Sequence, residues 1–386
     1  METKRRFVIM AVFIHDTNII SPLGFSTDDN FQKILSGTSA IEKVFINDKI
    51  GSVYAGKIND ELFNNHFQSI NPDFKGSRIE KLLIAALSPI VEKNPLKNDS
   101  VLILSTTKGN IDALANNDLN GAFIDQLAKN INSYFGFKTD SIVVSKACTS
   151  GVVALSVAKR FIEMEQFTNA YVVAVDELTP FVVSGFQSFQ AMSSEPCKPY
   201  DADRSGVNLG EAAVAVFVSN ENRTESIQIL GDANINDANH ISGPSRTGEG
   251  LFLSIEKALN EAQIASNQID YISAHGTATL FNDEMEAVAF NRLNLQNVPT
   301  NSLKGYFGHT LGASGLLETV ITIESLKNNV LIPSFGYQQQ GTTQQINIIT
   351  NKEQKSLKTA LKTASGFGGS NSAMILVKNV DHVRNQ

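Results

Sequence analysis

Two stretches far apart in the chain, ACTSGVVALSVA (residues 147–158) and GHTLGASGLLETVITI (308–323), share one pattern of small residues followed by an apolar helix. Three further pairs of segments echo one another in the same order. They are RFVIMAVFIHDTNII (6–20) with SIQILGDANINDANHI (226–241), VLILSTTKGN (101–110) with IDYISAHGTAT (269–279), and GEAAVAVFVSN (210–220) with NSAMILVKN (371–379). This repetition predicts a chain built from two similar halves, residues 1–222 and 223–386.

Strand-like and helix-like segments alternate around these repeats. The segments 149–167 and 248–264 have helical periodicity. Four apolar runs have the length and β-branched content of strands: 101–106, 141–147, 170–177 and 212–219. Continuous apolar strands that alternate with helices predict an α/β protein whose sheets are covered on both faces.

The composition narrows the class of protein. A chain of 386 residues with 42% hydrophobic residues can bury a large core, and its two cysteines argue against a disulfide scaffold. The net charge of −7 and the absence of a basic run argue against a nucleic-acid-binding protein. The segment METKRRFVIMAVFIHDTN predicts a buried first strand rather than a signal peptide, because no small-residue cleavage site follows it. No run reaches the roughly 18 apolar residues of a membrane span, so we expect a cytoplasmic protein without a membrane partner.

Four segments carry residues suited to chemistry, each at a strand end or a helix start, where α/β proteins place their sites. Cys148 lies in KACTSG before a predicted helix, and a cysteine taken alone is more often buried core than nucleophile. His275 ends an apolar strand in SAHGTATLFND. Lys304, His309 and Glu318 lie in NSLKGYFGHTLGASGLLE, and the segment GFGG covers residues 366–369.

Together these segments could assemble a thiol site. A helix N-terminus favours the thiolate of Cys148. The two histidines could donate hydrogen bonds to a developing oxyanion or act as acid and base, and the glycines allow backbone N–H groups to approach a substrate carbonyl. Singly, His275 and His309 could equally be satisfied core residues, and GFGG a tight turn.

The segments KACTSG, AHGTAT with its following Asn-Asp, NSLKGYFGHTLGASGLLE and GFGG resemble those of a β-ketoacyl-acyl carrier protein synthase, a condensing enzyme of the thiolase superfamily. The resemblance runs from about residue 7 to residue 378. It implies a duplicated thiolase-like fold, layered α-β-α-β-α with two mixed sheets. The N-terminal half would carry the nucleophilic cysteine, and the C-terminal half the two histidines.

The resemblance also implies roles for single residues. Cys148 would take an acyl chain from a carrier-protein thioester, and His275 and His309 would assist decarboxylation of a malonyl thioester and stabilise the enolate. Lys304 and Glu318 would orient and tune the histidines. The backbone N–H groups of Cys148 and Phe367 would form the oxyanion hole. Phe367 would also act as a gate between the acylation and condensation steps. The residues expected to bind the substrate are Gly366, Gly368, Thr277 and Thr279.

The chain departs from the family pattern at three places. GEAAV (210–214) replaces Gly-Glu-Gly-Ala-Gly, Ala278 replaces a glycine of HGTGT, and Thr-Ala-Ser (363–365) replaces Asn-Ser-Phe. These departures favour a specialised member over housekeeping fatty-acid elongation, and they leave open whether the pathway is fatty-acid synthesis or specialised polyketide or polyene synthesis. Two rival functions are a non-catalytic subunit similar to a chain-length factor, which usually lacks the cysteine, and a Cys-His hydrolase.

The resemblance implies no redox cofactor and no metal, with substrates carried on the phosphopantetheine of an acyl carrier protein. In the family the strand before the nucleophile pairs with a copy in another subunit, so DSIVVSKA (140–147) predicts a dimer with an identical or a related partner. Cys197 is expected to be structural. Asp283 and Glu286 are expected to brace the loop after His275 rather than to bind a metal, and no role is assigned to His15, His66, His240 or His382.

Overall fold

Strands and helices alternate along the chain in a computed structural model that describes residues 10–238 and 243–378. The strands before residue 222 are β1 (Phe13–Ile20), β2 (Ile41–Asn47), β3 (Gly51–Gly56), β4 (Ser100–Ser105), β5 (Ile142–Val144), β6 (Asn169–Asp176), β7 (Leu209–Gly210) and β8 (Ala212–Ser219). The α-helices of the same part are α1 (Thr27–Leu35), α2 (Asp60–Ile70), α3 (Arg78–Lys93), α4 (Ile124–Phe135), α5 (Ser150–Glu163) and α6 (Pro180–Ser188).

The second part of the chain continues in the same manner. Its strands are β9 (Ile227–Asn236), β10 (Tyr271–Ser273), β11 (Thr300–Asn301), β12 (Val330–Leu331), β13 (Glu353–Gln354), β14 (Thr359–Gly366) and β15 (Ser370–Lys378). Its α-helices are α7 (Glu249–Ala262), α8 (Leu280–Arg292), α9 (Lys304–Phe307) and α10 (Ser314–Asn328).

Two five-stranded mixed sheets have the same strand order. The first runs β1-β8-β6-β4-β5 and the second β9-β15-β14-β10-β11. In each, the first three strands are antiparallel neighbours and the last two pairings are parallel. Among the described residues the sheets join where β1 meets β9, through the pairs Phe13–Gln228 and Ile14–Ile227 and a hydrogen bond of 2.9 Å from the Ile229 N–H to the Val12 carbonyl. The predicted duplication is therefore present in the topology: three of the echoed pairs lie on equivalent strands, and the fourth lies on helices α5 and α10.

The helices complete five layers. Helices α5 and α10 pack against one another between the sheets, where they share a core with β6, β8 and β14. Helices α3 and α4 cover the outer side of the first sheet, and α7 and α8 cover the outer side of the second. Along β6, Ala170, Val172 and Ala174 face the central layer, while Tyr171, Val173 and Val175 face the outer one. This is the predicted α-β-α-β-α arrangement, with both faces of each sheet buried.

The structure corrects one predicted strand and contains another. The predicted strand 141–147 is wrong beyond Val144, because the chain turns at Ala147, whose φ of +46° is left-handed. The predicted first strand is present as β1, which lies at the centre of the joined sheets; residues 1–9 lie outside the described residues.

We propose residues 222 and 223 as the boundary of the halves, between β8 and β9. Within the described residues, every helix is too short or too polar to traverse a bilayer.

Candidate active site

The elbow before α5 presents Cys148 at the carboxyl end of β5. Ser150 closes this turn, since its Oγ accepts a hydrogen bond of 2.7 Å from the Lys146 N–H and donates one of 2.6 Å to the Ala147 carbonyl. Gly366 lies directly behind the thiol-bearing residue, and a Cβ at that position would lie 3.0 Å from the Cys148 nitrogen. Glycine is therefore favoured at 366 by this close approach rather than by its dihedral angles.

Cys148 lies close to the start of a helix. It stands two residues before the first residue of α5. Burial nevertheless raises the pKa of the Cys148 thiol to about 11, although the Lys304 ammonium and the Phe367 N–H oppose this effect. The resting thiol is therefore protonated at neutral pH.

His275 and His309 flank the thiol at the ends of two segments from the second half. Their rings are 5.2 Å apart and nearly perpendicular. The sulfur of Cys148 and a ring nitrogen of each histidine all lie within 4.8 Å of one another, and the three residues are buried. Cys148 and His275 are 127 positions apart in the chain, and His275 and His309 are 34 positions apart, so the fold brings distant residues together.

Hydrogen bonds assign the proton on each imidazole. Nδ1 of His309 accepts a bond of 3.2 Å from the Leu311 N–H, so the proton of the neutral ring is on Nε2. Nδ1 of His275 lies 3.2 Å from Nζ of Lys304, which as an ammonium can only donate, so that ring also carries its proton on Nε2. Nε2 of His309 is buried and has no hydrogen-bond partner among the described residues. The cavity therefore contains an N–H donor that lacks an acceptor.

Both imidazoles are neutral. Burial and the Lys304 ammonium lower the pKa of His309 to about 3, and the same two causes lower the pKa of His275 well below its usual range. Neutral donors suit an acceptor that becomes negative during a reaction, because they stabilise the charge without giving up their protons.

Lys304 and Glu318 form the layer behind the histidines. Nζ of Lys304 donates to the His275 carbonyl at 2.6 Å and to Oε1 of Glu318 at 2.7 Å. Ser314 donates to the same carboxylate oxygen at 2.8 Å. Burial acts against ionisation of Glu318, but the adjacent ammonium groups of Lys304 and Lys362 outweigh it and lower its pKa to about 2.

The loop after His275 is braced by two buried carboxylates, as predicted for Asp283 and Glu286. Glu286 accepts hydrogen bonds from the His275 and Gly276 N–H groups at 2.9 and 2.7 Å. Asp283 accepts from the Thr277 N–H at 3.0 Å. Burial and the nearby Glu286 raise the pKa of Asp283 to about 7.

A cavity of about 100 Å³ opens onto these groups. Its polar lining includes Cys148, His275, His309, Thr277 and Thr279, and its apolar lining includes Phe186, Val207, Met285, Gly366 and Phe367. Gly369 lines the cavity, whereas Gly368, which was predicted to bind substrate, does not. At the mouth, the ring of Phe367 contacts Phe186 and Phe189 with centroid distances of 5.8 and 5.3 Å.

Three described residues to which no catalytic role was assigned, Cys197, His15 and His66, do not line this cavity. Cys197 is buried, and its thiol donates to the Lys304 carbonyl at 3.5 Å without facing the cavity. His15 is buried between the hydroxyls of Ser219 and Ser226, and His66 packs on the ring of Phe25. His240 and His382 lie outside the described residues.

Two residues at this site were missed by the sequence reasoning. Lys362 is buried on β14, and Nζ lies 2.7 Å from Oε2 of Glu318. Asp176 ends β6 and accepts from the Gly312 N–H at 2.6 Å and the Thr107 hydroxyl at 2.8 Å, which ties the loop after His309 to the first half. Two features of the sequence could have indicated these residues. Lys362 is a lone lysine within an apolar strand, and Asp176 is an acid at the same sheet edge as Cys148.

Comparisons with known proteins agree with this fold. The model of the "Beta-ketoacyl synthase, N-terminal domain" matches residues 11–223, and that of the C-terminal domain matches residues 228–338. The 3-oxoacyl-[acyl-carrier-protein] synthase 2 of Coxiella burnetii is 27% identical over 98% of this chain and 100% of its own length. The tetracenomycin polyketide synthase ketoacyl synthase alpha subunit of Streptomyces glaucescens is 31% identical over 61% of this chain and 59% of its own.

The structural comparison shows the fold alone. A ketosynthase solved in complex with its chain length factor, from Xenorhabdus doucetiae, superimposes with a TM-score of 0.83 at 24% identity. The match covers 98% of this chain and 100% of the other.

Proposed function

Because this chain belongs to the β-ketoacyl synthase family, whose members act in fatty-acid and polyketide synthesis, we propose that it catalyses a decarboxylating Claisen condensation. The substrates are an acyl thioester and malonyl-acyl carrier protein, and the intermediate is an acyl group on Cys148. The observation that carries the proposal is the pair of neutral Nε2–H donors beside a buried thiol.

In the first half-reaction the sulfur of Cys148 attacks the thioester carbonyl of the acyl donor. The backbone N–H groups of Cys148 and Phe367 stabilise the resulting oxyanion. The carbon–sulfur bond to the carrier then breaks, and the proton of the Cys148 thiol ends on the departing carrier thiol. The thiol proton thereby neutralises the departing carrier thiolate, while the Nδ1 atoms of both imidazoles are occupied as acceptors.

In the second half-reaction the thioester oxygen of the malonyl group accepts hydrogen bonds from Nε2 of His275 and Nε2 of His309. These donors stabilise the enolate that forms when the malonyl carboxylate leaves as carbon dioxide. The enolate carbon attacks the acyl-Cys148 carbonyl and the bond to sulfur breaks, and the thiolate then takes up from the solvent the one proton that the overall reaction consumes. Phe367, at the cavity mouth, would separate the two steps as a gate.

Two rival functions fit the geometry less well. A Cys-His hydrolase needs an imidazole nitrogen that accepts the thiol proton, whereas both rings direct Nε2–H toward the cavity and use Nδ1 elsewhere. A chain-length-factor-like subunit does not need a cysteine elbow with both histidines in place. We propose that no metal ion binds at this site. An Nε2 atom that carries a proton has no lone pair for a metal, and the Lys304 and Lys362 ammonium groups nearby would repel a cation.

The proposed partners follow from the reaction. An acyl carrier protein delivers both substrates on phosphopantetheine, and no further cofactor is needed. We propose a dimer, with a second copy or with a related condensing subunit; the complex of the Xenorhabdus ketosynthase with its chain length factor supports the second form. A cytoplasmic location stays a prediction.

Intact-protein mass spectrometry after incubation with acyl carrier proteins that carry different acyl groups tests the proposal. Wild-type protein and Cys197→Ala should gain one acyl mass, whereas Cys148→Ala should gain none. The two thiols form a matched pair, because burial raises the pKa of each to about 11 and only Cys148 faces the cavity. An adduct on Cys197, or one that persists in Cys148→Ala, contradicts the proposal.

A further inference from the structure

Lys362 is a buried cation that the proposed half-reactions do not use. It is the one charged residue of β14, whose sequence is TALKTASG, and its side chain is fully buried. Its Nζ donates to the Thr363 carbonyl at 2.6 Å and to the Ser273 carbonyl at 3.1 Å, and it lies 2.7 Å from Oε2 of Glu318. An ammonium rarely lies in a core unless it is paired, so its place beside the site requires an explanation.

These contacts reach His275 from two directions. Lys362 is in register with Ser273, at the end of β10 and two residues before His275, and it also contacts the Ala274 carbonyl at 3.5 Å. Through Glu318 it is joined to Lys304, whose Nζ contacts Nδ1 of His275. A substitution of Lys362 therefore affects two things: the position of the backbone that carries His275, and the position of the Lys304 ammonium, which occupies Nδ1 of His275.

Charge balance gives Lys362 a second consequence. Two cations, Lys304 and Lys362, face two carboxylates, Glu318 and Glu286, the latter accepting from the His275 N–H. Without Lys362 this set would contain one cation and two carboxylates beside the cavity. Further ionisable groups of the described residues that lie around the set are His275, His309, Cys148, Cys197, Tyr271, Tyr200, Asp283 and Arg204. A buried negative excess would favour protonated imidazole and disfavour an anion in the cavity.

We propose that Lys362 is a positioning residue for the condensation step: it holds Glu318 and the end of β10 behind His275, and it adds to the positive charge that Lys304 places beside the histidines. The inference rests on the proposed function, because it concerns the step in which a malonyl carboxylate enters and an enolate forms. Lys362 does not line the cavity, so acylation of Cys148 does not depend on it directly.

The test compares Lys362→Met and Lys362→Gln with the wild-type protein. Methionine removes the charge and the hydrogen bonds, whereas glutamine keeps an N–H donor for the Ser273 or Thr363 carbonyl without the charge. Two rates are measured between about pH 5 and 9, which spans the ordinary histidine pKa: acyl transfer to Cys148 and carbon dioxide release from malonyl carrier protein. Lys159→Met is the matched control, because it removes a buried ammonium that is paired with Asp232 and Glu261 instead.

Both Lys362 variants should acylate Cys148 at close to the wild-type rate. Carbon dioxide release should fall about tenfold near neutral pH, since loss of one pre-organised stabilising group has effects of this order or larger. The release should also decline further toward acid in the variants, because removing a neighbouring cation raises a histidine pKa toward its ordinary value of about 6.5. Lys159→Met should leave the shape of the pH profile unchanged.

A uniform loss at every pH, an unchanged profile, or the same shift in Lys159→Met would overturn the inference. If Lys362→Met does not fold, Lys362→Gln decides the question. A wild-type protein that neither acylates Cys148 nor releases carbon dioxide would overturn the proposed function, and this inference with it. If the wild-type protein condenses normally and both Lys362 variants have the wild-type pH profile, the inference about Lys362 is overturned while the proposed function stands.

Discussion

At the scale of single residues, the chemistry of this site depends on where protons lie. The Leu311 N–H and the Lys304 ammonium occupy Nδ1 of the two imidazoles, and both Nε2–H groups are thereby available as donors. Burial makes this arrangement persistent, because it lowers the pKa of both rings far below neutrality. The same burial keeps the Cys148 thiol protonated until a substrate arrives.

We expect His275→Ala and His309→Ala to acylate Cys148 slowly and to condense at a rate reduced about a hundred- to a thousand-fold, the usual effect of losing one oxyanion donor. Acyl transfer is followed by mass spectrometry and condensation by product formation. His66→Ala is the matched control, since His66 contacts Phe25 and does not line the cavity; its rates should equal those of the wild type. Near wild-type condensation by both active-site variants would show that the histidines are not the enolate donors.

At the scale of elements, the site depends on a close crossing of α5 and α10, the two helices that carry the repeated small-residue pattern. A Cβ added at Gly151 of α5 would lie 2.4 Å from the backbone nitrogen of Leu316, and one at Gly315 of α10 would lie 2.9 Å from Val152. The glycines therefore let the backbones approach one another. This approach brings Cys148, at the start of α5, to the layer that contains Glu318 on α10.

We expect Gly151→Ala to lower the free energy of unfolding by about 1–3 kcal/mol, because the added methyl group meets backbone rather than a side chain that can move. Gly185→Ala is the control: Gly185 also lies in a helix, but nothing is within 4 Å of an added Cβ. That variant should be about 0.4–1 kcal/mol more stable than the wild type, since alanine restricts the unfolded chain. Urea denaturation of both variants checks the pair, and equal effects would show that the crossing tolerates a side chain.

At the scale of the whole molecule, the sheet ends in a short strand close to the site. β5 is the last strand of its sheet, and among the described residues only β4 pairs with it. Its residues Ile142 and Val143 are half-buried. An unpaired apolar edge is a template for pairing with another chain, and here that edge leads directly to the Cys148 elbow.

We expect the isolated chain to form a dimer through this edge, with a mass near twice 41.9 kDa by light scattering. The buried interface should be large and mostly apolar, as in obligate dimers. A clean, stable monomer would refute the interface. Aggregation that is relieved by co-expression with a related condensing subunit would show that the partner is unlike, and the dimer prediction would then hold in its second form.

Much of the fold was predictable from sequence because its determinants are local. Hydrophobic periodicity indicates β6, β8, α5 and α7 within a few residues, since the period reflects which face of each element is buried. The small residues around Cys148 and Gly366 indicate a sharp turn and a close approach. The resemblance to a family added the grouping of Cys148, His275 and His309.

The sequence by itself determined the two α/β halves and the chemical types available at the site. Only the tertiary structure decided which nitrogen of each histidine carries a proton, that Lys362 shares Glu318 with Lys304, and that Gly369 rather than Gly368 lines the cavity. The physical reason is that periodicity and turn chemistry act between neighbours in the chain. Ion pairs and tautomers depend instead on distances between residues tens of positions apart, which packing of the sheets and helices sets.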